Sequence, residues 1–200
     1  MPAPIDFYFD FSSPYGYIAS TKIDAIAARH GREAIWRPFL LGAAFKVTGG
    51  AAPVDFPLKG DYFVRDFARS ARFHAVPYKF PGKFPISSVA PTRAFYWLNA
   101  RDAKRAKDLV RALYAAYFTE GVDISDAESM IKVAAGMGLN PDEVRAGIND
   151  PSTKELTKAE VEKAIAAGAF GSPFIVVDGE PFWGVDRLEQ VERWLAGGKF

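Results

Sequence analysis

The chain of 200 residues contains no cysteine. It can form no disulfide, carries no thiol nucleophile and offers no thiolate to a metal, so any sulfur chemistry needs a sulfur brought by a ligand. Histidine is nearly absent too, with only His30 and His74, and no ligand cluster for a metal is visible. Neither sign of charge dominates: 25 basic and 24 acidic residues leave a net charge of +1, and no basic stripe stands out, which argues against a nucleic-acid partner. No apolar run approaches the ~18 residues of a membrane span. The first residues, Met1-Pro2-Ala3-Pro4, have neither the charged region nor the long apolar region of a secretory leader. The expectation is a soluble, cytoplasmic protein without a membrane partner. A Gly-x-Ser-x-Gly elbow is also missing, which weakens any serine-hydrolase reading.

What is present is a globular composition, 49% hydrophobic and 24% charged, long enough to bury a sizeable core. Ile5 to Phe11 reads as a buried strand. Ser13-Pro14 then opens a helix over Tyr15 to His30, with Ile18, Ile23, Ile26 and Ala27 on one face and Gly31 as the stop. Glu33 to Leu41 is a second strand, completing a βαβ unit with parallel strands. Residues 42–58, rich in Gly, Ala and Pro, read as a loop. From Lys59 to Gly168 each periodic segment looks helical, with start signals at Ser125, Asn140 and Ser152, each followed by Glu three residues on, and stops at Gly138 and Gly168. Phe174 to Val177, the turn Asp178-Gly179 and Pro181 to Trp183 form a hairpin, and Asp186 to Leu195 a last amphipathic helix.

The stretch DFSSPYGY, Asp10 to Tyr17, lies where the first strand hands over to its helix. Ser13-Pro14 has two readings. Ser is a favoured N-cap and Pro a favoured first helical residue, so the pair can simply start a helix. A hydroxyl at a helix N-terminus is also a place to hold an anion such as a thiolate. His30 beside a helix stop and His74 in a mixed segment read as structural.

Three motifs carry a resemblance. FYFDFSSPYGYIA at the end of the first strand resembles the active-site segment of kappa-class glutathione transferases and 2-hydroxychromene-2-carboxylate isomerases, in the DsbA-like branch of the thioredoxin superfamily. Ser13-Pro14-Tyr15-Gly16 stands where dithiol relatives carry Cys-Pro-x-Cys. GAFGSPF, residues 168–174, resembles the superfamily's cis-proline segment. FWGVDRL, residues 182–188, resembles the segment that grips the γ-glutamyl end of glutathione. The resemblance implies an α/β fold: a thioredoxin-like βαβ…ββα domain, 1–58 and 169–200, interrupted by an all-helical insertion domain, 59–168.

It also implies glutathione as cofactor. Ser13 would donate to its sulfur as the catalytic residue. A cis bond between Ser172 and Pro173 would turn the Ser172 backbone toward the pocket, where an extended tripeptide pairs like an added strand. Val185 and Asp186 would face the γ-glutamyl moiety and Lys59 the glycine carboxylate. Each has a plain alternative: Asp186 with Glu189 is a ready capping box, and Lys59 a solvated lysine heading a helix. Two positions depart from the family pattern. Gly50 replaces an Asn, and Val185 a Ser or Asn, removing two polar side-chain contacts. The second substrate implied is a small aromatic carboxylate in an apolar space between the two parts, with Phe45, Phe84, Tyr96 and Trp183 as candidate lining and Arg37 and Arg93 as candidate carboxylate partners. Three functions follow as alternatives: a glutathione-dependent isomerase acting by reversible thiolate addition, a kappa-like transferase, or a non-catalytic thiol or peptide binder. Relatives imply a homodimer.

Overall fold

The computed structural model describes residues 3–198 and Phe200. Met1, Pro2 and Lys199, which fall within the expected thioredoxin-like segments, lie outside the described residues. The chain starts with strand β1, Ile5–Phe9. Ile5, Phe7 and Phe9 point into one apolar core while Tyr8 joins a second core on the other face, with Phe39, Ala44, Val161 and Phe174. A strand covered on both faces is expected to be a near-continuous apolar run, as this one is.

The expected helix over Tyr15–His30 is two helices, α1 at Pro14–Ser20 and α2 at Ile23–Arg29. At the break the Ser20 and Thr21 hydroxyls donate back to the carbonyls of Tyr17 and Ile18, at 2.6 and 2.8 Å. Such local bonds compete with the backbone ladder and end the helix. Strand β2, Ala34–Pro38, runs parallel to β1. The expected loop over 42–58 contains helix α3, Leu41–Thr48, and a 3₁₀ turn at Pro53–Asp55. Leu41 and Ala43 pack beside the Tyr8 core, and the Leu41 N–H donates to the distant Asp10 carboxyl at 2.8 Å. That N-terminal partner is invisible in a local reading.

Helices α4 (Lys59–Phe73), α5 (Val89–Asn99), α6 (Ala103–Ala115), α7 (Ala127–Gly136), α8 (Pro141–Asn149) and α9 (Pro151–Ala166) form the helical block. Residues 75–88 between α4 and α5 are not helical and include a cis Phe84–Pro85 bond. Asn140 caps α8 as expected, but Asp126 and Asp150, not Ser125 and Ser152, cap α7 and α9. In both cases the serine hydroxyl bonds a nearby carboxylate, of Asp123 or Asp150. Gly147 of α8 lies flat on the Trp97 indole of α5, and a Cβ there would collide with the ring. Gly147→Ala is expected to cost about 1–3 kcal/mol by overpacking, read as a lowered urea midpoint with an unchanged slope.

Strands β3 (Phe174–Val177) and β4 (Glu180–Trp183) complete the sheet in the order β2-β1-β3-β4, with β3 antiparallel to both neighbours. Asp178 and Gly179 both have positive φ in the hairpin turn, as their residue types allow. The last helix, α10 at Leu188–Leu195, starts later than expected, after a 3₁₀ turn at Val185–Arg187. Among the described residues no helix is long and apolar enough to cross a membrane. The edge strand β2 is blunted: Lys107 Nζ donates to the Ala34 carbonyl and Tyr96 Oη to that of Pro38, each at 2.8 Å.

Candidate active site

Ser13 bears out the first reading of its sequence context, the helix start. It is the N-cap of α1, with φ −90° and ψ 114°, and its Oγ accepts the Gly16 N–H at 3.0 Å. The same Oγ donates its proton to the Ser172 carbonyl at 3.0 Å, joining two segments 159 residues apart. Both serines are buried, at 6% and 8% exposure. The Ser172–Pro173 bond is cis, as the resemblance implies. The Pro173 carbonyl accepts the Gly184 N–H at 3.0 Å, which ties this loop to the turn carrying Val185 and Asp186. Gly16 sets how closely the two segments approach, since a Cβ there would lie 2.6 Å from Ser172 Oγ and 2.9 Å from Tyr114 Oη.

Asp10 was not singled out by the sequence reading, although an acid between Phe9 and Phe11 in an apolar run is a signal. It is buried, and its Oδ1 accepts from the Ser12 N–H at 2.7 Å and the Ser88 hydroxyl at 2.6 Å. Burial raises its pKa above the ordinary carboxylate value, against the downward pull of bonds from Ser88, Leu41 and Ser12. The folded state therefore holds this proton more tightly than the unfolded chain, whose value is ~3.9. The resulting stabilisation is fully present below the unfolded value and lost as pH rises through the folded one. The Tyr114 phenol that faces Asp10 is pushed far up by burial and stays neutral across that window. The stability difference between wild type and Asp10→Asn is thus expected to shrink as pH rises from about 4. Urea midpoints over a pH series check this, and a difference constant with pH contradicts it.

Tyr15 faces the other side of the site. Its hydroxyl donates to Asp66 of α4 at 2.5 Å and its ring meets Phe67 edge-on at 5.0 Å. Burial, then the Asp66 bond, hold its phenol far above the ordinary value, and the Asp186 charge adds to this, so the 3₁₀ turn stands within electrostatic reach of α1. Asp186 does not form the expected capping box, because the N-cap of α10 is Arg187 without a side-chain bond. Its carboxylate is largely exposed, 3.3 Å from Arg187, while Val185 is buried. Lys59 opens α4, solvent-exposed, with Nζ 5.5 Å from the Phe56 ring centre. Asp66 lies seven positions further on, about 10 Å along the helix.

The remaining candidates lie elsewhere or nearby in different degrees. Arg37 pairs with Asp6 at 2.6 Å and Glu160 at 3.8 Å, and the Tyr96 ring is buried. Both line a groove of about 790 Å³ along β2 that Ser13 and Ser172 do not line. Trp183 packs against the Gly171 backbone next to Ser172 and stacks edge-on with Phe170 in a smaller cleft of about 430 Å³. Phe84 meets Phe67 at 5.8 Å and so extends the aromatic row beside Tyr15. Phe45 lies beside Gly50. His30 and His74 cap the C-termini of α2 and α4.

A family model described as a DSBA-like thioredoxin domain matches residues 4–196. A 2-hydroxychromene-2-carboxylate isomerase of Sphingobium xenophagum is 32% identical over 198 residues, covering 98% of this chain and 99% of the relative. Glutathione S-transferase kappa 2 of Caenorhabditis elegans is 26% identical over 211 residues, covering 96% and 91%. The solved structure of a 2-hydroxychromene-2-carboxylate isomerase superposes with a TM-score of 0.87 at 26% identity, covering 98% of this chain and 95% of that one.

Proposed function

The chain belongs to the DSBA-like thioredoxin domain family, among the 2-hydroxychromene-2-carboxylate isomerases and kappa-class glutathione transferases, and from that premise we propose that it is a glutathione-dependent isomerase of a conjugated aromatic carboxylate. The observation that carries this reading is the Ser13 hydroxyl, buried at the N-cap of α1 and held 3.0 Å from the Ser172 carbonyl. Glutathione supplies a thiolate that adds reversibly to the conjugated system, lets the former double bond rotate and leaves again unchanged. The residues present fit such a ligand: a hydroxyl donor at the N-cap, an exposed cation at Lys59 and an exposed carboxylate at Asp186 match a tripeptide with acidic and amino ends.

Ser13 holds the sulfur ionised by turning its proton from the Ser172 carbonyl toward it. A thiol of pKa ~8.5 is a few per cent ionised at neutral pH, and lowering it by about two units takes roughly 2.7 kcal/mol. A helix N-terminus contributes about 0.3–1 kcal/mol, rising to ~2 when partly buried. Because α1 has seven residues, fewer aligned peptides stand behind that end than the longer helix expected from sequence. Pro14 has no N–H and that of Gly16 goes to Ser13, so Tyr15 supplies the remaining first-turn N–H. The larger share falls to the hydroxyl, for which about 1.5–3 kcal/mol is typical. Lys59 and Asp186 bind and orient the ends of the tripeptide; removing either exposed charge by alanine is expected to weaken glutathione binding about fivefold, or about 1 kcal/mol, in calorimetric titration.

The test is a spectral assay with a hydroxychromene carboxylate. Glutathione dependence with full recovery of the tripeptide supports the isomerase. One equivalent consumed per turnover of an electrophile means a kappa-like transferase, the reading that the Caenorhabditis relative favours. Absence of binding leaves a non-catalytic module, consistent with Gly50 and Val185 in place of polar residues.

A further inference from the structure

We propose that Asp10 is a positioning residue for the Ser13 site, an inference that rests on the reading of Ser13 as the thiolate donor. The Asp10 backbone hydrogen-bonds both partners of the Ser13–Ser172 bond. Its N–H donates to Ser172 Oγ at 3.0 Å, and its carbonyl accepts the Ser13 N–H at 2.9 Å and the Tyr114 hydroxyl at 2.9 Å. The side chain fixes that backbone. Oδ1 accepts from Ser12 at 2.7 Å and from Ser88, at the head of α5, at 2.6 Å; Oδ2 accepts from Leu41, the first residue of α3, at 2.8 Å. Ser12 in turn accepts the Ile86 N–H at 3.1 Å.

Three donors from three segments thus converge on one carboxyl. Burying an acid between Phe9 and Phe11 is unfavourable unless both oxygens are satisfied, and here they are. Both oxygens of a carboxyl keep acceptor lone pairs whether it is ionised or protonated; the amide nitrogen of Asn has none and presents a donor either to Leu41 or to the Ser12 and Ser88 pair. The geometry therefore assigns to Asp10 the spacing between the strand-to-helix turn and the proline loop. A lost acceptor lets the Asp10 peptide rotate and carries Ser13 and Ser172 apart. The closeness of the two segments at Gly16 leaves little tolerance for such a shift.

The test compares wild type, Asp10→Asn, Ser13→Gly and the double variant in two titrations, one with glutathione, reading thiolate ultraviolet absorbance at fixed neutral pH, and one with S-methylglutathione, which has no ionisable sulfur. Asp10→Asn is expected to lower the ionised fraction about tenfold while S-methylglutathione binding changes less than twofold, and to have no further effect on the thiolate in the Ser13→Gly background. Equal losses in both titrations, or an effect that persists without the Ser13 hydroxyl, overturn the proposal. If wild type itself ionises no glutathione, the function proposed above fails, and amide hydrogen exchange then decides the positioning role. Faster exchange at Gly16 in Asp10→Asn, with Phe7 in the core strand unchanged, supports it; unchanged Gly16 exchange overturns it.

Discussion

Replacing Ser13 by glycine is expected to lower the ionised fraction of the bound sulfur sharply while costing less stability than alanine does. Glycine keeps most of the N-cap preference, costing only a few tenths of a kcal/mol, whereas alanine costs about 0.5–2 kcal/mol of stability. Both remove the hydroxyl proton that now goes to Ser172. Losing about 1.5–3 kcal/mol of sulfur stabilisation raises the bound thiol by one to two pKa units. The corresponding fall in kcat/KM is about 10- to 150-fold. The glycine and alanine variants are expected to lose activity equally but differ in urea midpoint. If activity instead follows stability across the two variants, Ser13 is only a cap.

The second large effect is expected at Phe9. Its ring is fully buried and meets Phe7 and Phe11 within the first strand and its turn, Trp36 on β2, Phe95 on α5 and Tyr114 on α6, with centroids between 5.1 and 6.4 Å. Phe9→Ala deletes a ring shared by the sheet and two helices of the block, and about 3–5 kcal/mol is expected to go with it. Since a folded domain of this size is stable by only about 5–15 kcal/mol, the variant is expected to be marginal at physiological temperature. One transition, seen alike by fluorescence and circular dichroism, is predicted for wild type and variant. Loss of the helical block's signal at its own lower midpoint contradicts this shared core.

The order of the elements, the start of α1 and the closing hairpin were legible because they rest on local signals, whereas the cis bond at Ser172–Pro173 followed from the resemblance alone. The apolar run of β1, the Ser-Pro start of α1 and the turn at Asp178-Gly179 are each a few residues long and chemically distinctive. What escaped depends on partners far away in the chain. Helix α3 was hidden because its first N–H is satisfied by Asp10, thirty-one positions back, and its apolar residues serve the second core. Asp10 itself is meaningful only once Ser88, Leu41 and Ser172 are seen around it. The capping box at Asp186 was the wrong local choice because the chain enters α10 through a 3₁₀ turn, after Gly184 at φ +112°, and leaves that carboxylate outward. Arg37 and Tyr96 have the chemistry of a carboxylate site, but Asp6, Glu160 and the blunted edge of β2 already use them.

The central claim is that a ligand's sulfur is held as an anion by the Ser13 hydroxyl. A crystal structure of the complex with glutathione measures it most directly. The sulfur is predicted within about 3.5 Å of Ser13 Oγ, with the hydroxyl turned away from the Ser172 carbonyl. A sulfur lodged instead in the Trp183 cleft or the β2 groove, with the Ser13–Ser172 bond intact, contradicts the account.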